Sequence, residues 1–229
     1  MTRGLFVTGT DTGVGKTVVA ALLLRALADA RHRAVGMKPV AAGLAAGESV
    51  SADVKSLIEA ANVEAPIADV NPFSFDLAAA PELAARMHGA WIDLDRIVSA
   101  YARLAAVADA VIVEGAGGVL VPLTSRSDML DIPARLGLPV ILVVGIRLGC
   151  LNHALLSALA INARGIRFAG WVANRIDPAM KEADANVSLL AERLPAPLVA
   201  DLHWAAAGRP SFGDRRRVLR ELGFESAPA

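Results

Sequence analysis

Residues 9 to 17 read GTDTGVGKT, a glycine-rich run closed by Gly15, Lys16 and Thr17. Those residue types suit a polyphosphate. Backbone N–H groups next to glycine can cradle the oxygens, a lysine adds charge at the β- and γ-phosphates, and a hydroxyl is a hard ligand for Mg²⁺. Five residues separate Gly9 from Gly15, so the loop is one residue longer than the usual phosphate-binding signature. An apolar run precedes it and an Ala/Leu-rich stretch opens at Lys16, which is the strand, loop, helix order that the chemistry requires.

Further groups stand where other apolar runs end. Lys38 follows AVGM and precedes Pro39; beside a triphosphate a second lysine would stabilise charge developing at the γ-phosphorus, and otherwise it is an exposed strand-end lysine. Glu114 follows DAVIV and opens the loop Gly115-Ala116-Gly117-Gly118. A carboxylate there is the usual partner of a phosphate loop in holding Mg²⁺. Asp53 lies just behind Ser51 in ESVSADVKSL, where it either complements a helix dipole or holds the metal. Gly145 and Gly149 lead into a helix near Asn152. That helix start could take a substrate carboxylate, or Asn152 could only cap it. Asn174 ends GWVA, and its amide offers both donor and acceptor to a nucleobase edge. NRID at 174 to 177 is also like the Asn-x-x-Asp element of GTPases.

These groups need strands to bring them to one edge. Short β-branched runs at Leu5 to Thr8, Ala34 to Met37, Ala110 to Val113, Val140 to Val144, Phe168 to Ala173 and Leu198 to Ala200 read as strands. They lack polar alternation, as strands buried on both faces do. Between them, Lys16 to Ala30, Ala52 to Ala61, Leu94 to Ala108, Asn152 to Ala163 and Lys181 to Leu194 read as helices. The alternation predicts a mostly parallel α/β sheet with helices on both faces. Pro66, Pro72 and Pro81 break residues 64 to 91 into short pieces, and GDRRRVLREL reads as a terminal helix with a solvated arginine face.

The 229 residues are 55% hydrophobic, enough for one sizeable domain spanning 1–229. With 23 basic and 23 acidic residues the formal net charge is zero, which favours neither nucleic acid nor an anionic membrane as partner. The single cysteine, Cys150, excludes an internal disulfide. No run approaches the roughly 20 apolar residues of a membrane span, and the N-terminus does not read as a signal peptide, so a cytoplasmic protein is expected.

GTDTGVGKT, KPV with AAG, VEGAGG with VPL, VILVVGIRLGCLNH and GWVAN with PAPL resemble the dethiobiotin synthetases, in order from about residue 5 to residue 204. The resemblance implies a single-domain P-loop NTPase fold and an ATP- and Mg²⁺-dependent ring closure. In it, 7,8-diaminopelargonic acid captures CO₂ or bicarbonate as a carbamate, which is phosphorylated and then closed to a ureido ring. It implies that Gly13, Val14, Gly15, Lys16, Thr17 and Val18 wrap the phosphates and that Thr17, Asp53 and Glu114 surround Mg²⁺. Lys38, Lys16 and Thr12 become the catalytic set. Gly115, Ala116 and Gly117 border the nucleotide, and Asn174 and Arg175 lie at the base. Thr12, Lys38, Ala42 and Gly118 face the acceptor, and Cys150, Leu151 and Asn152 receive its distal carboxylate across a homodimer interface.

Ala42 stands where many relatives have a hydroxyl, Asn186 where some have a tyrosine from the neighbouring subunit, and His203 where many have a proline before Trp204. These departures bear on substrate and base affinity. The rival readings are a partitioning or division-site switch ATPase and a small GTPase. The first usually has a second lysine near the start of its loop, where this chain has Asp11, Thr12 and Gly13. The second needs an Asp-x-x-Gly after the metal-binding strand, and VEGAGG lacks it.

Overall fold

The computed structural model describes residues 3–45, 47–203 and 211–224. In chain order the elements are β1 (Arg3–Gly9), α1 (Lys16–Asp29), β2 (Ala34–Met37), β3 (Val40–Ala42), α2 (Ala52–Ala60), α3 (Ile67–Val70), β4 (Phe73–Phe75), α4 (Pro81–Met87), α5 (Leu94–Val107) and β5 (Ala110–Glu114). There follow β6 (Pro122–Thr124), β7 (Ser127–Asp128), α6 (Asp131–Leu136), β8 (Val140–Gly145), α7 (Cys150–Ala163), β9 (Phe168–Asn174), α8 (Ala183–Arg193), β10 (Leu198–Leu202) and α9 (Arg215–Glu221).

The central sheet has six strands in the order β10-β9-β8-β1-β5-β2, and every pair in it is parallel. Successive side chains leave a strand on opposite faces. Leu5 and Val7 accordingly join Ile112, Ile141 and Val143 under α1, α2 and α9. Phe6 joins Val111, Val113, Leu142 and Val144 in the core beneath α5, α7 and α8. Both faces are covered, which is why the strands read as unbroken apolar runs.

All six expected strands form, and each of the five expected helices forms with its ends moved by at most two residues. The expected terminal helix is α9, capped by Asp214 through a 2.9 Å bond from the Arg217 N–H. Trp204, at the end of the family resemblance, lies outside the described residues.

Residues 64 to 91 resolve into short elements placed by their prolines. Pro66 is the cap residue of α3, Pro72 precedes β4, and Pro81 opens α4 at a position where no helical N–H is needed. β4 pairs with β3 in a small parallel sheet beside the main one, and β6 and β7 form a short antiparallel pair.

In an open sheet of this kind, ligands bind beyond the carboxyl ends of the strands, where the order reverses. Here that place is the end of β1. The chain leaves β1 through α1 toward β2 on one side and later returns to β8 on the other.

Candidate active site

Register brings the chemistry together. Val7 on β1 is level with Glu114 on β5, and Met37 on β2 is level with Val113. Lys38, one residue beyond Met37, therefore meets Glu114. Its Nζ donates to Glu114 Oε1 at 2.6 Å, to Asp53 Oδ2 at 2.8 Å and to the Gly115 carbonyl at 3.2 Å. Asp53 reaches this point from the first turn of α2, whose start is fixed by Ser51 accepting from the Val54 N–H at 3.3 Å. Asp53 thus stands at a helix start, one of its two sequence readings, and its carboxylate also accepts from Lys38.

Lys38 and Glu114 are both buried. Burial works against the ammonium, but the charges and hydrogen bonds of Glu114 and Asp53 outweigh it and hold the Lys38 pKa above the ordinary value. Burial likewise pushes against the Asp53 carboxylate, yet Lys38 and a hydrogen bond from Thr17 lower its pKa.

β1 ends at Gly9 and the loop turns into α1 through Gly15, which sits at φ 93°. A side chain there would be doubly unwelcome: the conformation is left-handed, and an added Cβ would lie 2.1 Å from Asn174 Nδ2. The start of α1 carries no side-chain cap, so its first N–H groups face the loop. Lys16 is buried beside them and donates through Nζ to the Asp11 carbonyl at 2.7 Å. Burial is the main cause lowering its pKa to about 8, and the Lys38 charge adds to it.

Thr17 Oγ1 donates to Glu114 Oε1 at 2.7 Å, so a hydroxyl and two carboxylates meet in one small volume. Glu114 Oε2 is buried and has no hydrogen-bond partner among the described residues. An orphaned carboxylate oxygen among oxygen donors fits a hard divalent cation. No cluster of three or more Asp, Glu, His or Cys residues stands ready for a metal among the described residues. Mg²⁺ needs no such cluster, since it takes one or two carboxylates and completes its shell with water and phosphate.

The glycine loop after β5 closes the other side. An added Cβ at Gly117 would approach Thr12 Oγ1 to 3.6 Å, and one at Gly118 would approach the Thr10 carbonyl to 3.6 Å. Ala116, just before them, is half-buried, Thr12 and Gly13 are exposed, Val14 is buried and Val18 is half-buried. Ala42, in β3 a few residues beyond Lys38, is half-buried.

Two residues with no assigned chemistry in the sequence complete the loop. Asp11 accepts from its neighbour's N–H at Thr12 and pairs through Oδ2 with Arg147 Nη2 at 2.6 Å. The available signal was a carboxylate placed inside an anion-binding loop, which calls for a cation nearby. The following helix, α7, starts at Cys150, and its cap position is Gly149 at φ 92° with no side-chain cap bond. Asn152 is therefore inside the first turn and exposed, not a cap, while Cys150 is buried and Leu151 half-buried. Cys150 Sγ lies 3.9 Å from Asn186 Oδ1 on α8.

Asn174 is buried beneath the loop, and its Nδ2 donates to the Val14 carbonyl at 2.8 Å. This amide fastens the end of β9 to the phosphate loop. Arg175 is held by Asp201 through Nε at 2.8 Å and Nη2 at 2.7 Å, and by Asp184 at 2.6 Å. The hydrogen bonds to Asp201 are the chief cause raising its pKa. Arg175, Ile176, Asp177 and His203 line a cavity of about 490 Å³ beside this point.

A phosphate loop at a helix start that carries a lysine and a hydroxyl, with a second lysine and a carboxylate at adjoining strand ends and a further carboxylate from a neighbouring helix, defines a P-loop nucleotide-hydrolase class of protein. An AAA domain family model matches residues 3–209. The MinD cell division protein of Aquifex aeolicus is similar in fold, with a TM-score of 0.61 at 16% identity over 99% of this chain and 98% of that one. A ParA family ATPase from Chlorobium tepidum is also similar, with a TM-score of 0.54 at 14% identity over 98% and 92%. These likenesses show the fold alone.

The ATP-dependent dethiobiotin synthetase BioD of Aromatoleum aromaticum is 48% identical over 91% of this chain and 94% of its own length. The enzyme of that name from Ralstonia nicotianae is 51% identical over 84% and 85%. The chain belongs to the ATP-dependent dethiobiotin synthetases.

Proposed function

We propose that this site phosphorylates a carbamate and lets a neighbouring amine close the ring, so that the chain, an ATP-dependent dethiobiotin synthetase, makes dethiobiotin in biotin biosynthesis. One amine of 7,8-diaminopelargonic acid and CO₂ give the carbamate with loss of a proton. A carbamate oxygen attacks the γ-phosphorus and the bond to ADP breaks. The second amine then attacks the carbamoyl carbon, phosphate leaves and the ureido ring is closed. The observation that carries this reading is the meeting of Lys16, Thr17, Lys38, Asp53 and Glu114 beyond β1, β2 and β5.

Lys16 holds the outer phosphates and Lys38 meets the developing negative charge between γ-phosphate and carbamate. The N–H groups of Gly13, Val14 and Gly15 line the loop toward the phosphates, Val18 continues the first turn of α1, and Thr12 with Gly118 faces the acceptor. Thr17, Asp53 and Glu114 hold Mg²⁺, which when bound neutralises phosphate charge. Gly115, Ala116 and Gly117 border the nucleotide, and Asn174 and Arg175 stand at its base, beside the cavity. The start of α7 at Cys150, Leu151 and Asn152 receives the distal carboxylate. The enzyme works as a homodimer, a reading supported by the exposed Leu148, Leu156 and Leu159 around α7. No helix among the described residues is long and apolar enough to cross a membrane.

The test is product formation by the purified protein with Mg-ATP, diaminopelargonic acid and bicarbonate. Dethiobiotin and ADP in equal amounts, with hydrolysis dependent on both acceptor substrates, are expected. ATP hydrolysis without dethiobiotin would overturn the proposal.

A further inference from the structure

Lys38 cannot serve the acceptor from the position it holds. Its ammonium is buried with donors aimed at Glu114 Oε1, Asp53 Oδ2 and the Gly115 carbonyl, at 2.6, 2.8 and 3.2 Å. An ammonium has three donors, and these contacts use them all. Two of its acceptors are the carboxylates assigned above to Mg²⁺. A divalent cation on the same oxygens would lie within a few ångströms of the ammonium, and like charges so close in a site that water barely enters repel strongly. Glu114 Oε1 also accepts from Thr17 Oγ1 at 2.7 Å, while Oε2 is buried without a partner. One oxygen of the carboxylate is thus crowded with donors and the other has none.

We propose that Lys38 is an exchangeable internal cation: its ammonium neutralises Glu114 and Asp53 in place of the metal, and it turns to the acceptor only when Mg²⁺ takes those carboxylates. The proposal rests on the metal reading above. The flexible four-carbon stem of lysine allows the turn. The order of events follows. A metal-bound nucleotide must be seated before the catalytic ammonium is released, so the carbamate meets no free lysine at a site without nucleotide.

The inference makes a prediction that a purely catalytic role does not. Lys38→Met should leave two close carboxylates without a counter-charge, lowering the melting temperature without metal by about 10 °C. Millimolar Mg²⁺ alone should restore most of that loss, whereas it barely shifts the wild type. Titration calorimetry with Mg²⁺ alone should give Lys38→Met at least a tenfold tighter affinity than wild type. Lys16→Met removes a nearby positive charge that does not touch the carboxylates, and it should gain much less. Equal gains in the two variants, or no gain in Lys38→Met, would overturn the exchange.

If Lys38→Met does not fold, a structure of the wild type with Mg-ADP decides. Lys38 Nζ off both carboxylates supports the exchange, and Nζ still bonded to both overturns it. If wild type with ADP takes up no Mg²⁺ at all, the metal reading itself falls. Uptake by the wild type without tightening in the variant removes only the exchange.

Discussion

Lys16, at the start of α1, and Lys38, at the end of β2, are both buried lysines, yet their surroundings push them in opposite directions. Lys38 gains Glu114 and Asp53, so its stabilising pairing is present below the ordinary lysine pKa and is lost only as pH rises through its higher folded value. Lys16 donates instead to a backbone carbonyl and is lowered from 10.5 to about 8 by burial and then by Lys38. Between those two values the unfolded chain holds a proton that the folded chain has released, so this residue makes stability rise with pH there. Phosphate binding runs the other way, because the nucleotide needs the charged form. ADP affinity should therefore fall above pH 8, by up to about tenfold per pH unit, and binding near pH 9 should take up a proton. Calorimetry in two buffers of different ionisation enthalpy reads that proton directly. The uptake should vanish in Lys16→Met, and uptake unchanged in that variant would remove Lys16 as its source.

At the scale of elements, the sequence carried the parallel sheet plainly, because strands such as Ala110–Glu114 and Val140–Gly145 are buried on both faces and read as apolar runs. Lys16, Thr17, Lys38 and Glu114 were legible for a related reason: each follows such a run, and strand ends share an edge. Asp53 was ambiguous because its local signal is that of a helix start, while its pairing with Lys38 spans two separate elements. Residues 64 to 91 were illegible beyond their prolines, since β4 exists only through its pairing with β3. The Asp11–Arg147 pair was hidden likewise, joining the phosphate loop to the loop before α7 across 136 positions. It ties the enlarged loop to the segment leading into α7, whose start is proposed to receive the acceptor's carboxylate. Both side chains are partly exposed, with 42% and 48% accessible, so the bond itself adds little, under about 1 kcal/mol. Asp11→Asn should leave the melting temperature within a few degrees and nucleotide affinity within a few-fold, while the KM for diaminopelargonic acid rises severalfold. A KM equal to wild type would show that the tie does not position the acceptor. The loop's own turn is less forgiving. Gly15→Ala combines φ 93° with a Cβ 2.1 Å from the Asn174 amide, and should cost more than tenfold in ADP affinity by calorimetry.

On the scale of the whole molecule, the phosphate loop and the start of α7 follow neighbouring strands, β1 and β8, at one edge of the sheet, and under the proposed function a second copy would dock beside α7. The phosphate site is built wholly within the chain, from β1, α1, β2, α2 and β5. Around α7, Leu148 is 92% exposed, and Leu156 and Leu159 on the helix are 56% and 65% exposed. The last two lie three residues apart and so share one face of the helix whose start is assigned to the substrate carboxylate. An apolar face of this kind on a charge-neutral chain is costly to leave in water. If it is the dimer face, assembly and acceptor binding are coupled while nucleotide binding is not. Replacing Leu156 and Leu159 together by glutamate should move the mass in solution from twice the 23.8 kDa of the chain to that single value. ADP affinity should stay within about twofold of wild type, since Lys16, Thr17 and Glu114 are untouched. Turnover with diaminopelargonic acid should fall by at least tenfold, chiefly through KM. Diluting the wild type below its dimer dissociation constant should reproduce that loss without a mutation. Full activity in a monomeric variant would place the whole acceptor site within one chain and leave the exposed leucines without a catalytic consequence.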